Sequence, residues 1–117
     1  MKKFEELHCW QEARKLVKDI YKMTAQEDYK RDYGLKDQIQ RSAVSTMANI
    51  AEGYHSFSTQ DRIRFFGYAT RSCSEVLSHL YISKDIGYVD AETFDYLYEQ
   101  INKTDKLTRA FIRYLRN

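Results

Sequence analysis

Hydrophobic and polar positions follow the three- and four-residue spacing of an α-helix in four separate stretches of the chain. In each stretch the apolar residues fall on one side of the helix and most charged residues on the other. These apolar stripes cover residues 10–24, 35–54, 66–80 and 94–115. The last stripe keeps an unbroken heptad spacing, which is typical of helices packed side by side. The pattern therefore predicts four helices.

Short polar segments separate the stripes and contain residues that end or begin helices. Gln26–Asp32 is charged and polar, and lies between the first and second helices. Gly53 lies where the second helix should end. Ser58 lies where it can cap the start of the third helix, and Gly87 lies where the third helix should end. Connections this short make consecutive helices antiparallel neighbours. We expect residues 1–117 to form one all-α domain, an antiparallel up-down-up-down four-helix bundle.

The composition supports a helical fold. The 117 residues include no proline and four glycines, whereas strand-rich domains use both residues at their turns. No apolar run approaches the ~18 residues that a membrane span needs. Two acidic residues, Glu5 and Glu6, stand where a signal peptide needs its apolar stretch, and the two cysteines indicate reduced thiols. These features predict a soluble cytoplasmic protein without a membrane segment.

Candidate chemistry is sparse. Two Glu-x-x-His pairs, Glu5 with His8 and Glu52 with His55, have the spacing of the ligands in di-metal helical bundles. Both pairs fall at predicted helix ends, however, so solvated surface residues are the favoured interpretation. Cys73 is in phase with the apolar stripe of its helix, where a cysteine usually packs as a small hydrophobic residue. The sequence predicts no enzyme activity, no metal and no cofactor.

A polar row on the second predicted helix lies beside its apolar stripe. Its members recur at three- and four-residue steps: Gln38, Arg41, Ser45, Asn49 and Glu52. The row is either a solvent-facing edge or a set of hydrogen-bonding groups against the third helix. Under the second interpretation we expect Asn49 and Glu52 to be largely buried and hydrogen-bonded, with Glu52 near Arg62 or nearby backbone donors.

The fourth predicted helix carries the clearest electrostatic feature, although the net charge of the whole chain is only +2. Five cations recur opposite its apolar stripe, and we call them the basic strip: Lys103, Lys106, Arg109, Arg113 and Arg116. Such a strip favours phosphate backbones because binding releases counterions. An ordinary solvated helix face is the alternative. If the strip does not bind phosphate, Lys2, Lys3 and Arg14 are the next candidates.

A second set of apolar residues points away from the core stripes of the third and fourth helices. Its members are Tyr68, Ile82, Ile86, Tyr96, Leu107 and Tyr114. One isolated four-helix bundle does not need a second apolar face, and tyrosine is common at interfaces. We therefore expect these residues to line contacts between subunits of a homo-oligomer.

Five segments of the sequence form recognisable motifs: Tyr33–Ser45, Asn49–Gly53, Phe4–Leu7, Trp10–Ala13 and Ala69–Leu77. The first two resemble the signature of the bacterial 23S rRNA intervening-sequence proteins, the next two the family's first helix, and the last its A-x-G-S-x-x-E-L segment. The residues that carry the signature are Arg41, Asn49, Glu52, Gly53, Ser72 and Glu75. Two positions depart from the pattern: Met47 stands where relatives often have proline, and Arg71 replaces a small residue.

The resemblance implies a non-enzymatic four-helix bundle, which in related proteins assembles as a ring of five. The relatives are encoded within inserts of 23S rRNA genes. Similar bundles are accessory proteins of diversity-generating retroelements, where they bind nucleic acid and a reverse transcriptase. Together with the basic strip, this favours an oligomer that binds structured RNA or DNA. The alternative is a protein-interaction adaptor without direct nucleic-acid binding.

Overall fold

A computed structural model describes residues 3–117, and the regular structure in that range is entirely helical. A short 3-10 turn at Phe4–Glu6 precedes the first α-helix. The five α-helices are α1 (His8–Thr24), α2 (Glu27–Lys30), α3 (Tyr33–His55), α4 (Thr59–Asp85) and α5 (Ala91–Arg116). The four long helices, α1, α3, α4 and α5, match the four helices that the apolar stripes predict.

The one-turn helix α2 is absent from the sequence prediction, which treats Gln26–Asp32 as a polar connection. Within it, Tyr29 is fully buried and its hydroxyl lies 2.6 Å from the hydroxyl of Ser83 in α4. A single buried residue produces no periodicity, so the apolar pattern could not reveal this turn. The segment is thus a packed part of the core and not only a connection.

Polar side chains begin three of the four long helices. Asp32, Ser58 and Asp90 each accept a hydrogen bond from the backbone N–H three residues later, at 2.7–3.1 Å. These bonds satisfy N–H groups that have no partner within the helix. The starts of α3, α4 and α5 are therefore fixed by local sequence.

The two glycines expected to end helices behave differently. Gly87 has a φ of +83° just beyond α4, as the sequence predicts. Gly53 does not end α3, because the helix continues to His55. It is buried at a tight contact of α3 with α4: a Cβ at this position would lie 3.1 Å from the Cβ of Phe65 and 3.2 Å from the carbonyl oxygen of Arg62. Its role is close helix packing.

The four long helices contact one another in a closed cycle: α1 packs on α3, α3 on α4, α4 on α5, and α5 on α1. The end of α3 meets the start of α4 where Gly53 contacts Phe65. The end of α4 meets the start of α5, where the rings of Tyr81 and Phe94 lie 5.2 Å apart. The side of the bundle formed by the α1–α5 pair is therefore opposite the side formed by the α3–α4 pair.

The core consists of two clusters of buried side chains. The smaller cluster lies where α1 begins and α5 ends, and contains Cys9, Trp10, Ala13, Ile50, Phe66 and Ala69. The larger cluster occupies the remainder of the bundle and includes Leu16, Ile20, Ile39, Leu80 and Leu97. Thr104 and Thr108 interrupt the apolar stripe of α5 but stay buried, because each donates its hydroxyl proton to the carbonyl four residues earlier.

Candidate nucleic-acid interface

All five cations of the basic strip are exposed on α5. Their three- and four-residue spacing places them on one side of the helix, opposite the residues that α5 buries in the core. From Lys103 to Arg116 the strip extends about 20 Å along the helix axis. The structure therefore presents them as one continuous surface.

Two of the five cations have carboxylate partners. The Nζ of Lys103 lies 3.3 Å from a carboxylate oxygen of Glu12, and the Nε of Arg109 lies 2.9 Å from Asp105. Within residues 3–117, no carboxylate lies within ion-pair distance of the other three: Lys106, Arg113 and Arg116. The Arg109 pair has i,i+4 spacing and joins an exposed guanidinium to the half-buried Asp105, so the other guanidinium nitrogens of Arg109 remain accessible to another anion.

Glu12 is a polar core residue that sequence reasoning missed. It is 6% exposed, and it joins α1 to α5 because Gln100 donates to its backbone oxygen at 3.2 Å. Burial opposes ionisation of this carboxyl, but hydrogen bonds and charges from Lys15 and Lys103 outweigh burial and lower its pKa. The available signal was its position four residues before Leu16, in phase with the apolar stripe.

The polar row forms hydrogen bonds between α3 and α4 in its middle part. Ser72 of α4 donates to the hydroxyl of Ser45 at 2.9 Å. Asn49 donates to the carbonyl oxygen of Ser45 at 2.9 Å within α3, and it is half-buried where the prediction had it buried. Of the other signature residues, Gly53 is buried against α4 and Glu75 is exposed. The interpretation as a hydrogen-bonding row thus holds around Ser45.

The two ends of the row face solvent. Arg41 is exposed and pairs with Asp37 on its own helix at 2.8 Å. Glu52 is also exposed, so the prediction that it is buried beside Arg62 is wrong. The Nε of Arg62 instead donates to the backbone oxygen of Ser56 at 2.9 Å. The physical reason is that adjacent residues of a helix point about 100° apart. Gly53 faces α4, so Glu52 points to solvent.

The six residues predicted to line subunit contacts differ in exposure. Four are exposed: Ile82, Ile86, Tyr96 and Tyr114. Tyr68 is half-buried, with its ring 5.6 Å from that of Phe65. Leu107 is also half-buried and packs against the smaller core cluster, so the prediction that it points away from the core is only partly right.

The other proposed cations belong to the N-terminal part of the sequence and not to α5. Lys3 is exposed, and Lys2 lies outside the described residues. Arg14 on α1 is exposed, with its guanidinium 5.7 Å from the centre of the Trp10 ring. This contact belongs to α1 and does not extend the strip on α5.

Two features at one end of the bundle have no counterpart in the sequence prediction. An open cavity of about 650 Å³ lies at this end, lined mainly by the start of α1 and the end of α5 and also by Tyr54 of α3 and Arg62 of α4, and we call it the end cavity. Its lining includes Leu7, Cys9, Tyr54, Arg62, Leu107, Ala110, Phe111, Tyr114 and Leu115. The turn between α3 and α4, at the same end, exposes Phe57 completely.

The described residues show little catalytic chemistry. Residues 3–117 contain no group of three or more histidine, cysteine or acidic side chains that could hold a metal ion. Burial raises the pKa of Cys9 to about 11 and that of Cys73 to about 12, so both thiols stay protonated near neutral pH. In the same range, no helix is both long and apolar enough to cross a membrane.

Comparison with protein families gives a match over nearly the whole chain. The family described as 23S rRNA-intervening sequence protein matches residues 5–110. The chain belongs to this family. Membership confirms the resemblance found in the sequence and agrees with the all-helical structure. A comparison with curated proteins finds no match.

A solved relative shares the fold of this family member. It is a protein of unknown function from the S23 ribosomal protein family of Bacteroides thetaiotaomicron VPI-5482, determined by crystallography at 1.70 Å resolution. The two structures superpose with a TM-score of 0.81 at 21% sequence identity, covering 89% of this chain and 97% of that chain. At this identity the likeness shows a common fold.

Proposed function

We propose that this protein is a non-enzymatic, homo-oligomeric helical bundle of the cytoplasm that binds the phosphate backbone of RNA or DNA through the basic strip. One observation carries the proposal: five cations share the exposed side of α5, and three of them have no carboxylate partner within residues 3–117. Backbone binding of this kind needs exposed cations at a fixed spacing, and it needs no catalytic group.

We also infer that the four long helices run in up-down-up-down order. Contacts between α1 and α5 support this inference, because Glu12 meets Lys103 while Asp19, further along α1, meets Tyr96, which is earlier on α5. The contacts of α3 with α4, at Ser45–Ser72 and Gly53–Phe65, follow the same opposed order. So do the contacts of α4 with α5, at Tyr81–Phe94 and Phe66–Phe111. An alternating bundle leaves the outer side of α5 free for a ligand.

Oligomerisation strengthens binding by a strip of this size. Surface cations each add little affinity, and one chain offers at most five of them. In a ring each subunit repeats the strip, so contacts that are weak singly act together through a high effective concentration. The resemblance implies five subunits, and we adopt that number as part of the proposal.

The test is charge reversal within the strip. Arg109→Glu with Arg116→Glu alters one heptad-spaced row on the outer side of α5. The control, Lys18→Glu with Lys22→Glu, makes the same change in charge at two exposed positions of α1. Fluorescence anisotropy with labelled RNA and DNA should show weaker binding for the strip variant, to a similar degree for every sequence, and a smaller effect for the control. Equal affinities of the two variants would rule the strip out.

A protein-interaction adaptor without direct nucleic-acid binding is the second candidate. Exposed apolar side chains favour it, including Phe57, Ile86 and Tyr114. A reverse transcriptase is the expected partner if the gene belongs to a retroelement. Absence of RNA and DNA binding at low salt, together with specific retention of such a partner, would favour this candidate.

A further inference from the structure

An open groove of about 350 Å³ lies on the surface of α5, where the basic strip begins. Its lining consists of one aromatic ring, two lysines, one carboxylate and two amides: Tyr96, Lys103, Lys106, Glu99, Gln100 and Asn102. All of them lie within about three turns of one helix, so the helix itself holds them at a fixed spacing. The groove therefore places an aromatic ring beside the first cations of the strip.

The ring of Tyr96 is held in place and left open to solvent. Its hydroxyl donates to a carboxylate oxygen of Asp19 on α1 at 2.8 Å, so the ring lies across the surface between the two helices. The residue is 56% exposed, and no other aromatic ring of residues 3–117 packs against it. A ring fixed in this way offers a flat surface on which a nucleobase can stack.

The two lysines of the groove can bind phosphates beside such a base. Lys103 lies two turns after Tyr96 on nearly the same side of α5, and Lys106 lies one turn further. Lys103 uses one of its three ammonium N–H groups for Glu12, so the others remain available. Lys106 has no carboxylate within ion-pair distance in the described part of the chain. With Glu99 as its single acid, the lining keeps a net positive charge.

We propose that α5 binds a single-stranded segment of RNA or DNA, with an unpaired base stacked on Tyr96 and neighbouring phosphates on Lys103 and Lys106. The inference deepens the proposed function and rests on it, because it names the form of nucleic acid that the basic strip binds. Bases within a duplex stack on each other and leave no face for Tyr96. Stacking tolerates any sequence, since every base has a flat face.

The polar lining of the groove favours nucleic acid over a second copy of this chain. Charged residues are depleted at the centre of protein–protein interfaces, whereas three of the six lining residues here are charged. Tyr96 is thereby assigned to ligand binding and not to the subunit contact that its spacing suggested. Ile82 and Ile86 on α4 are exposed and stay available for subunit contacts.

The experiment separates the ring of Tyr96 from its hydroxyl. Tyr96→Leu removes the stacking surface, whereas Tyr96→Phe keeps the ring and loses only the hydrogen bond to Asp19. Tyr21→Leu is the matched control, because Tyr21 is 47% exposed and lines another open groove, on the α1–α3 side of the bundle. Fluorescence anisotropy measures binding to a labelled single-stranded RNA of about 12 nucleotides and to the duplex of the same sequence, at several salt concentrations. Light scattering gives the oligomeric mass.

Tyr96→Leu should bind the single strand at least about fivefold more weakly, the effect of losing one stacked base, and should bind the duplex like the wild type. The dependence of its affinity on salt should not change, because the ring carries no charge. Tyr96→Phe and Tyr21→Leu should bind both forms like the wild type. Equal losses for single strand and duplex, a smaller oligomer, or no loss at all in Tyr96→Leu would overturn the stacking site.

The variant Arg109→Glu with Arg116→Glu distinguishes failure of this site from failure of the proposed function. If that variant binds more weakly and Tyr96→Leu does not, the stacking site is overturned and phosphate binding by the strip stands. A wild-type protein that binds neither form of RNA would overturn both. A free mononucleotide at the concentration of the strand should not displace it, because it offers no neighbouring phosphates. Its displacement of the strand would overturn the assignment to a single strand.

Discussion

Replacement of Gly53 by alanine tests the close approach of α3 and α4. The new Cβ would lie 3.1 Å from the Cβ of Phe65 and 3.2 Å from the backbone oxygen of Arg62. Carbon atoms at their optimal separation are about 3.5–4.0 Å apart. Neither neighbouring atom can rotate away, because one is a Cβ and the other belongs to the backbone. The two helices must therefore move apart.

The magnitude follows from two opposing effects. Alanine favours a helix interior over glycine by about 1 kcal/mol, whereas overpacking costs about 1–3 kcal/mol. We expect Gly53→Ala to lower the free energy of unfolding by about 1 kcal/mol. Gly67→Ala is the matched control, since nothing lies within 4 Å of its Cβ position in α4. This control should raise the free energy of unfolding by about 0.5–1 kcal/mol.

Thermal unfolding followed by circular dichroism measures both variants. For a domain of this size, about 1 kcal/mol corresponds to about 4 °C in Tm, so the two variants should differ by about 6–8 °C. Protein concentration must be the same in all samples, because assembly contributes to the apparent stability. Equal Tm values for Gly53→Ala and Gly67→Ala would refute the proposed role of Gly53 in helix packing.

Two further predictions concern buried polar groups. Tyr29→Phe removes the hydroxyl that lies 2.6 Å from that of Ser83, and urea unfolding should show a loss of about 1 kcal/mol; an unchanged midpoint would contradict this role. The pKa of Glu12 is lowered in the folded state, so its contribution to stability is present above the ordinary value of 4.5 and is lost as the pH falls through the lowered pKa. Glu12→Gln should therefore flatten the loss of stability below about pH 4.5, and parallel profiles for the two proteins would contradict it.

The sequence alone predicted the long helices well because each has a long apolar stripe, and three of the four also have a polar side chain that caps their start. Phe94 and Leu97 are buried as the heptad spacing of α5 requires, and Asp90 caps that helix. Short segments were not predictable in the same way. The one-turn helix around Tyr29 has too few residues to form a pattern, and its burial depends on Ser83, which lies 54 residues away.

The candidate surface was predictable only in part. Exposure of the basic strip follows from its phase on α5, because the opposite side of that helix packs in the core. The partners of its cations do not follow from phase: Lys103 pairs with Glu12 across two helices that are distant in sequence. Spacing on α3 likewise could not separate the half-buried Asn49 from the exposed Glu52, since that depends on the contact of α3 with α4. The end cavity forms where the ends of four helices meet, which residue spacing along the sequence does not show.

The salt dependence of nucleic-acid binding tests the central claim most directly. Affinity for single-stranded RNA should fall linearly with salt on a logarithmic scale, and neutralising two strip cations should reduce that slope. Arg109→Gln with Arg116→Gln removes two phosphate contacts, which predicts a slope smaller by about 1.4 for each chain in contact with RNA. A slope unchanged from the wild type, or affinity that does not depend on salt, would contradict phosphate binding by the basic strip.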